Sequence, residues 1–300
     1  MYDCIIVGAG TAGLTAAIYL RRASKKVLVL EAKSYGGQIV NTLNIENYPA
    51  EPHISGFDFA TKLYNQAKEL GAEIKFEKVI NLEDNNISKC VITSNNKYET
   101  KTIILATGSD NRKLGIENED ELTGKGISYC ATCDGAFYKG KTVAVVGGGN
   151  TALEDALYLS DIAEKVYLIH RRNEFRGEEA TVDKLKEKSN VEIIYNSNVT
   201  KLISNNKLES IEVTNNDGNV NNIKVDGLFV AVGRIPENQN FASIINLDNN
   251  GYVIASEDCN TNVPGIFVAG DNRVKKVRQL VTAASDGAVA ATEAIKYISK

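Results

Sequence analysis

Cys4-Ile5-Ile6-Val7-Gly8-Ala9-Gly10-Thr11-Ala12-Gly13 is an apolar strand that runs onto glycine and opens a helix. The spacing Gly8-x-Gly10-x-x-Gly13 is that of a dinucleotide loop. Gly8 allows the tight turn, Gly10 lets a pyrophosphate approach the backbone, and Gly13 lets the helix pack close to the strand. The first N–H groups of the helix then face the phosphates. The helix is predicted to run to about Arg22. A second strand, Val27 to Leu30, ends on Glu31, an acid placed to accept hydrogen bonds from a ribose diol. Three glycines alone say little, but strand, helix, strand and acid in register describe a nucleotide fold.

The pattern returns without a gap. Val143-Ala144-Val145-Val146-Gly147-Gly148-Gly149-Asn150-Thr151-Ala152 matches Cys4 to Gly13, and Val166 to Ile169 matches Val27 to Leu30. Ala152 replaces the third glycine, a small change. The informative difference lies where the second strand ends. In place of Glu31 stands His170, followed by Arg171 and Arg172, with Arg176 close behind. An acid there repels a 2′-phosphate, whereas arginines clamp one by charge-assisted, bidentate hydrogen bonds. The first site therefore suits a ribose with free hydroxyls and the second suits NADP(H). A solvated basic strand end is the plainer alternative.

Each copy closes alike, on Ile103-Ile104-Leu105-Ala106-Thr107-Gly108 and on Leu228-Phe229-Val230-Ala231-Val232-Gly233. These are predicted as the last parallel strand of each unit. Between second and last strands lie alternating segments: Glu73 to Val79, Lys89 to Thr93 and Tyr98 to Thr102, then Val191 to Tyr195, Lys207 to Thr214 and Asn219 to Val225. They are predicted as antiparallel excursions with Asn-rich tips such as Asn85-Asn86 and Asn205-Asn206. The tail, from about residue 243, has no third glycine loop. It holds a strand, Gly265 to Asp271, and a helical run from Gln279 to Ile298. Asp271 is placed either to hold a polar flavin group or to cap the helix. The expected fold is α/β: two Rossmann-like dinucleotide-binding domains of three-layer β/β/α type. An NADP domain, 113–242, is inserted into a discontinuous FAD domain, 1–112 plus 243–300.

Just before the second loop stands Cys130-Ala131-Thr132-Cys133-Asp134-Gly135. Two thiols at this spacing form a short-loop disulfide and cycle with the dithiol. Asp134 sits where it can move the protons of that cycle, unless it merely closes a turn. Half of a zinc site is the other reading. The remaining Cys and both His are scattered singly, so no metal site is expected. Cys4, Cys90 and Cys259 lie in or beside apolar strands and are expected to be inert. Five cysteines with one close pair suit a reducing cytosol rather than a disulfide scaffold. The start Met1-Tyr2-Asp3 runs straight into a strand, which predicts no leader and a cytoplasmic protein. A net charge of -4 in 300 residues gives no reason to expect nucleic acid or a membrane as partner.

Taken together these residues resemble the bacterial low-molecular-weight thioredoxin reductases over essentially the whole chain. The resemblance is carried by the two glycine loops and by Gly36-Gly37-Gln38, Asn47-Tyr48-Pro49, Ala106-Thr107-Gly108 and Cys130 to Gly135. It continues through His170-Arg171-Arg172 with Arg176, Gly233-Arg234, Ala269-Gly270-Asp271 and Arg278-Gln279. It implies a homodimeric FAD enzyme that passes electrons from NADPH through Cys130–Cys133 to thioredoxin. By the same resemblance Glu31, Gly37, Gln38, Asp271, Arg278 and Gln279 contact FAD, and Asn47, Thr107, Gly108 and Gly233 belong to cofactor-binding motifs. Arg171, Arg172 and Arg176 hold the 2′-phosphate, Cys133 is the flavin-side sulfur and Asp134 the acid/base. Ala50 departs from the Gly common after Asn-Tyr-Pro. The rival readings are a related flavoprotein disulfide reductase with another thioredoxin-like or glutaredoxin-like partner or another electron donor, and a non-enzymatic redox sensor. Since the Cys pair and the NADP loop share one domain and the flavin belongs to the other, the two domains are expected to rotate in every turnover.

Overall fold

The computed structural model describes residues 1–42, 44–85 and 88–300, so the Asn-rich tip at Asn86 lies outside the described residues. The chain folds as two compact units, Met1–Asp110 with Ile235–Lys300, and Asn111–Arg234. The return to the first unit comes earlier than residue 243. Phe241 and Ile245 are buried in that unit's core with Ile5 and Val7, which draws the preceding residues along.

The first unit runs β1 (Tyr2–Val7), α1 (Thr11–Arg22), β2 (Val27–Glu31), α2 (Gly56–Glu69), β3 (Glu73–Phe76), β4 (Val79–Asp84), β5 (Lys89–Thr93) and β6 (Lys97–Leu105). Side chains alternate across β1. Cys4 and Ile6 face one core and Ile5 and Val7 the other, all buried. A strand buried on both faces belongs inside a parallel sheet, and β1 pairs in parallel with both β2 and β6. The strand order is β3-β2-β1-β6-β5-β4.

Two sequence expectations are corrected here. Glu73 to Phe76 is not part of the antiparallel excursion: it pairs in parallel with β2, because helix α2 intervenes as a crossover. Tyr98 to Thr102 and the strand from Ile103 are one strand, β6. Its first half pairs antiparallel with β5 and its second half completes the nucleotide sheet.

After β7 (Ser109–Asn111) and α3 (Glu119–Leu122), the second unit runs β8 (Ile127–Ser128), α4 (Ala131–Asp134), β9 (Thr142–Gly147), α5 (Asn150–Ser160), β10 (Lys165–Ile169), α6 (Glu179–Glu187) and β11 (Val191–Ile194). It closes with β12 (Ser197–Asn205), β13 (Lys207–Asn215), β14 (Val220–Lys224) and β15 (Gly227–Ala231). The parallel sheet is ordered β11-β10-β9-β15-β8, and β12-β13-β14 form an antiparallel sheet. Val191 to Ile194 therefore also leaves the excursion, pairing in parallel with β10. The chain returns through β16 (Arg234–Pro236) and ends with β17 (Ile266–Val268) and α7 (Leu280–Ile298).

β17 lies parallel to the end of β6, and β8 lies parallel to β15. The two edge strands hold matching places in their sheets. One leads into Gly270-Asp271 and the other into Cys130.

Candidate functional site

In the first unit the β1–α1 turn, the end of β2 and the loop after β17 surround a cavity of about 480 Å³, within the range of small-molecule and cofactor sites. Gly8, Gly10, Glu31, Gly37, Gln38, Thr107, Gly108, Asp271 and Gln279 all line it. The three loop glycines fall into two roles. A Cβ on Gly8 would strike the Ala106 carbonyl, and one on Gly13 the Gly8 carbonyl, so these two permit backbone packing. A Cβ on Gly10 would meet nothing nearer than the Gly36 oxygen at 3.9 Å, leaving the backbone open to a ligand. Glu31 accepts the Ala9 N–H at 2.8 Å through one carboxylate oxygen and the Lys33 N–H at 2.8 Å through the other. The carboxylate is thereby oriented at the strand end.

Gln38 donates to Asp110 at 2.6 Å, and Thr107 donates to Asn238 and accepts from Asn272. Asn47 is not in the cavity lining but donates to Gln279 at 3.2 Å, and Gln279 is the N-cap of α7. Asp271 therefore does not cap that helix. Arg278 also stands outside the lining: its guanidinium lies 4.3 Å over the Tyr252 ring and reaches the Asp271 and Arg273 carbonyls. The loop is fixed from behind by a buried cluster that sequence reading missed. Asp286 accepts from the Gly270 N–H, from Lys275 and, through both oxygens, from Arg273. Burial pushes the Asp286 carboxyl up, but Arg273 and Lys275 outweigh it and hold it below the usual carboxylate range. Only α7 brings Asp286 to this loop, which no local motif shows.

The second unit repeats the turn with changed chemistry. A Cβ on Gly147 would strike the Ala231 carbonyl, as Gly8 meets Ala106, and a Cβ on Gly149 would meet nothing within 4 Å. His170 takes the place of Glu31, but its ring lies against Gly148, stacks on Phe175 and bonds the Glu174 carbonyl at 3.0 Å. It is buried, and burial first, then Arg176, Arg171 and Arg172, lower its pKa, so it stays neutral. The three arginines are exposed beyond it, with the Arg176 N–H bonded to the Gly148 carbonyl at 2.7 Å. Asn150 accepts the Glu178 N–H at 2.8 Å, Thr151 is exposed on the first turn of α5, and a Cβ on Gly233 would again meet open space.

In the same unit Cys130 and Cys133 form a disulfide, with Cα atoms 5.3 Å apart, across the first turn of α4. Asp134 follows, half-buried. Burial pushes its carboxyl up, and a 2.6 Å hydrogen bond from Ser128 opposes that. Cys4, Cys90 and Cys259 are free and buried. Burial pushes the Cys4 and Cys259 thiols up to about 12, so neither is a nucleophile near neutrality.

A family model described as pyridine nucleotide-disulphide oxidoreductase matches residues 2–288. This chain belongs to that family. It is 41% identical over 302 residues to the thioredoxin reductase of Listeria innocua, covering 100% of this chain and 95% of the relative. It is 43% identical over 293 residues to that of Mycoplasma genitalium, covering 97% and 93%. Among solved structures, thioredoxin reductase from Streptococcus pyogenes matches at a TM-score of 0.96 and 38% identity, covering 100% and 98%. The Lactococcus lactis thioredoxin reductase, described as the FR conformation, matches at 0.69 and 38%, covering 100% and 99%.

Thioredoxin reductases of this oxidoreductase family use FAD and NADPH. The residues here fit FAD on two observations. The cavity meets open backbone at Gly10 and Gly108, where a Cβ would have no close neighbour. And the Ser109 hydroxyl, buried in the lining, has no hydrogen-bond partner among the described residues, an orphan that a polar ligand satisfies. No helix among the described residues is long and apolar enough to cross a membrane.

Proposed function

We propose that this chain is a thioredoxin-disulphide reductase, working as a cytoplasmic homodimer with neither nucleic acid nor membrane as partner. The observation that carries the reading is the Cys130–Cys133 disulfide beside a half-buried carboxyl, in the same unit as an arginine-flanked dinucleotide loop. When bound, FAD supplies two-electron chemistry between a nicotinamide hydride and a disulfide. The Gly8–Gly10 turn and the N-terminus of α1 receive its pyrophosphate, Glu31 its ribose, and the Asp271 and Gln279 loops its remaining polar edge. In the other unit Gly147 to Thr151 receive the NADPH pyrophosphate, and Arg171, Arg172 and Arg176 the 2′-phosphate.

Once reduced, the Cys130 thiolate attacks a sulfur of the partner disulfide. A mixed disulfide forms and one partner thiolate leaves. Cys133 then attacks the Cys130 sulfur, the second partner thiolate leaves, and Cys130–Cys133 closes again. Asp134 supplies and removes protons at the pair. The redox loop and the NADPH loop belong to one unit, and the FAD cavity to the other. The two units therefore rotate against each other in each turnover. Two relatives of equal identity and full coverage with TM-scores of 0.96 and 0.69 support a mobile pair of bodies.

The test is an anaerobic titration of the flavin-loaded protein with NADPH, NADH and reduced ferredoxin, followed by addition of thioredoxin. NADPH should bleach the flavin best, and thioredoxin should restore its colour while gaining two thiols. Bleaching by ferredoxin alone, or a flavin that thioredoxin does not reoxidise, would contradict the reading. Recovery with a glutaredoxin-like protein in place of thioredoxin would reassign the partner.

A further inference from the structure

Ser128 is a buried polar side chain that neither glycine loop nor the disulfide accounts for. It ends the edge strand β8, two residues before Cys130. Its hydroxyl accepts the Cys130 N–H at 3.1 Å and donates to Asp134 Oδ2 at 2.6 Å. A hydroxyl has one proton to give. The Cys130 carbonyl competes for it at 3.3 Å, but the carboxylate is nearer and takes the stronger, charge-assisted bond. β8 is fixed by parallel pairing of Ile127 with Leu228 and of Ser128 with Phe229. Ser128 thus ties a rigid sheet edge to both ends of the Cys130–Asp134 turn.

We propose that Ser128 is the positioning residue for acid–base chemistry at the Cys130–Cys133 pair: by holding Asp134 through Oδ2 it leaves Oδ1 to carry the transferable proton. This rests on the reading of the pair as the redox disulfide. Reducing it with NADPH breaks the S–S bond, places two electrons on the sulfurs and leaves two thiols. The hydride accounts for both electrons and one proton, and the solution for the second proton. One of these protons reaches a thiolate from Asp134 Oδ1, and the carboxylate is then reprotonated from solvent. Without the Ser128 tether the carboxyl turns freely about its bonds, and either oxygen points at the sulfurs only part of the time.

Few titratable groups surround this carboxyl. Tyr138 stands on the turn that follows, its phenol pushed up to about 12 by burial, with Asp134 and Asp226 adding. Helix α5 packs against the redox loop, its Tyr158 and Leu159 crowding Gly135, and also carries Glu154 and Asp155. Burial raises the Asp134 pKa and the Ser128 bond lowers it. Removing the hydroxyl must therefore move the titration of the proton-transfer step to higher pH.

The holoenzyme is mixed anaerobically with NADPH, and flavin reoxidation by the disulfide is followed by absorbance across the whole pH range in which the holoenzyme stays folded, on both sides of neutrality. Ser128→Ala should shift the pH midpoint upward by about one unit and slow the step about tenfold. Flavin reduction by NADPH should stay unchanged, since it uses neither thiols nor Asp134. Ser128→Gly, which leaves room for water at the Cys130 N–H, should move the midpoint the same way. Ser128→Thr, which keeps the hydroxyl, should restore both values. In an Asp134→Asn background Ser128→Ala should change nothing further. An unmoved midpoint in both deletion variants, or an additive loss in that background, overturns this inference alone. A wild-type disulfide that NADPH does not reduce overturns it together with the redox reading.

Discussion

Ala9 with Glu31 and Gly148 with His170 occupy the same place in two copies of one turn. In the first unit the acid reaches back and accepts the Ala9 N–H. In the second an imidazole lies flat where an Ala9-like methyl would be, so only glycine fits. The backbone course is shared, and one side chain at the end of the second strand decides what the turn receives. The acid suits the ribose proposed for the first site. Beyond the buried histidine three arginines are exposed, as the proposed 2′-phosphate site requires. The edge strands repeat the lesson. After β17 the loop is clamped by charges, Asp286 with Arg273 and Lys275. After β8 it is held by the neutral hydroxyl of Ser128. The loop that lines the cavity is locked by a buried ionic cluster. The loop that carries the disulfide is tied to its strand by the Ser128 hydroxyl.

The largest expected effect tests the β8 loop. Cys130→Ser or Cys133→Ser should abolish reduction of a protein disulfide and leave NADPH-driven flavin reduction intact. With Cys133 as the flavin-side sulfur, oxidised Cys130→Ser enzyme should show thiolate-to-flavin charge-transfer absorbance and Cys133→Ser should not. The opposite spectra would exchange the two sulfurs.

Next is the β17 loop. Asp286→Ala removes the buried partner of Lys275 and Arg273, leaving Arg273 only the exposed Glu257, and should destabilise the first unit by about 3–5 kcal/mol, seen as a lowered thermal midpoint and flavin loss. In the native protein the Asp286 pKa is lowered. Its contribution is full above the ordinary aspartate value of ~3.9 and fades as pH falls through the lowered folded value. Acid unfolding of Asp286→Ala should therefore lose that component below about pH 4. An unchanged acid transition would remove the cluster from the account.

How much of this was legible follows from the same pairs. Glycine spacing, Glu31 and the arginines could be read because they sit within one βαβ unit, where sequence distance fixes spatial distance. The equivalence of β8 and β17 could not. One precedes its sheet in the chain and the other follows, and Ile127–Ser128 is too short to show any period. Asp286 and Ser128 act through elements far away or through one hydroxyl, with no pattern to mark them. The split of β6 into two expected strands arose because its polar first half and apolar second half face different neighbours.

The arginines come third. Arg171→Ala and Arg172→Ala should each cost roughly 1.5–3 kcal/mol of NADPH binding and little of NADH binding, measured as the ratio of the two KM values. Equal losses would show that the phosphate lies elsewhere. Smaller still, Gly148→Ala drives a methyl into His170 and should cost about 1–3 kcal/mol in stability. Gly149→Ala points into open space and should weaken only NADPH binding. If both behaved alike in thermal unfolding, the two glycines would not have the separate roles given them here.

In the proposed function the second unit holds both ends of the electron path, the nicotinamide and the dithiol, and the first holds the middle. Rotation between them is the central claim. A cleavable cross-link engineered to hold the Cys130–Cys133 pair against the flavin tests it directly by steady-state reduction of thioredoxin under NADPH. The locked enzyme should lose flavin reduction by NADPH and turnover with it, and should regain both when the link is cut. Full turnover by the locked enzyme would contradict the account.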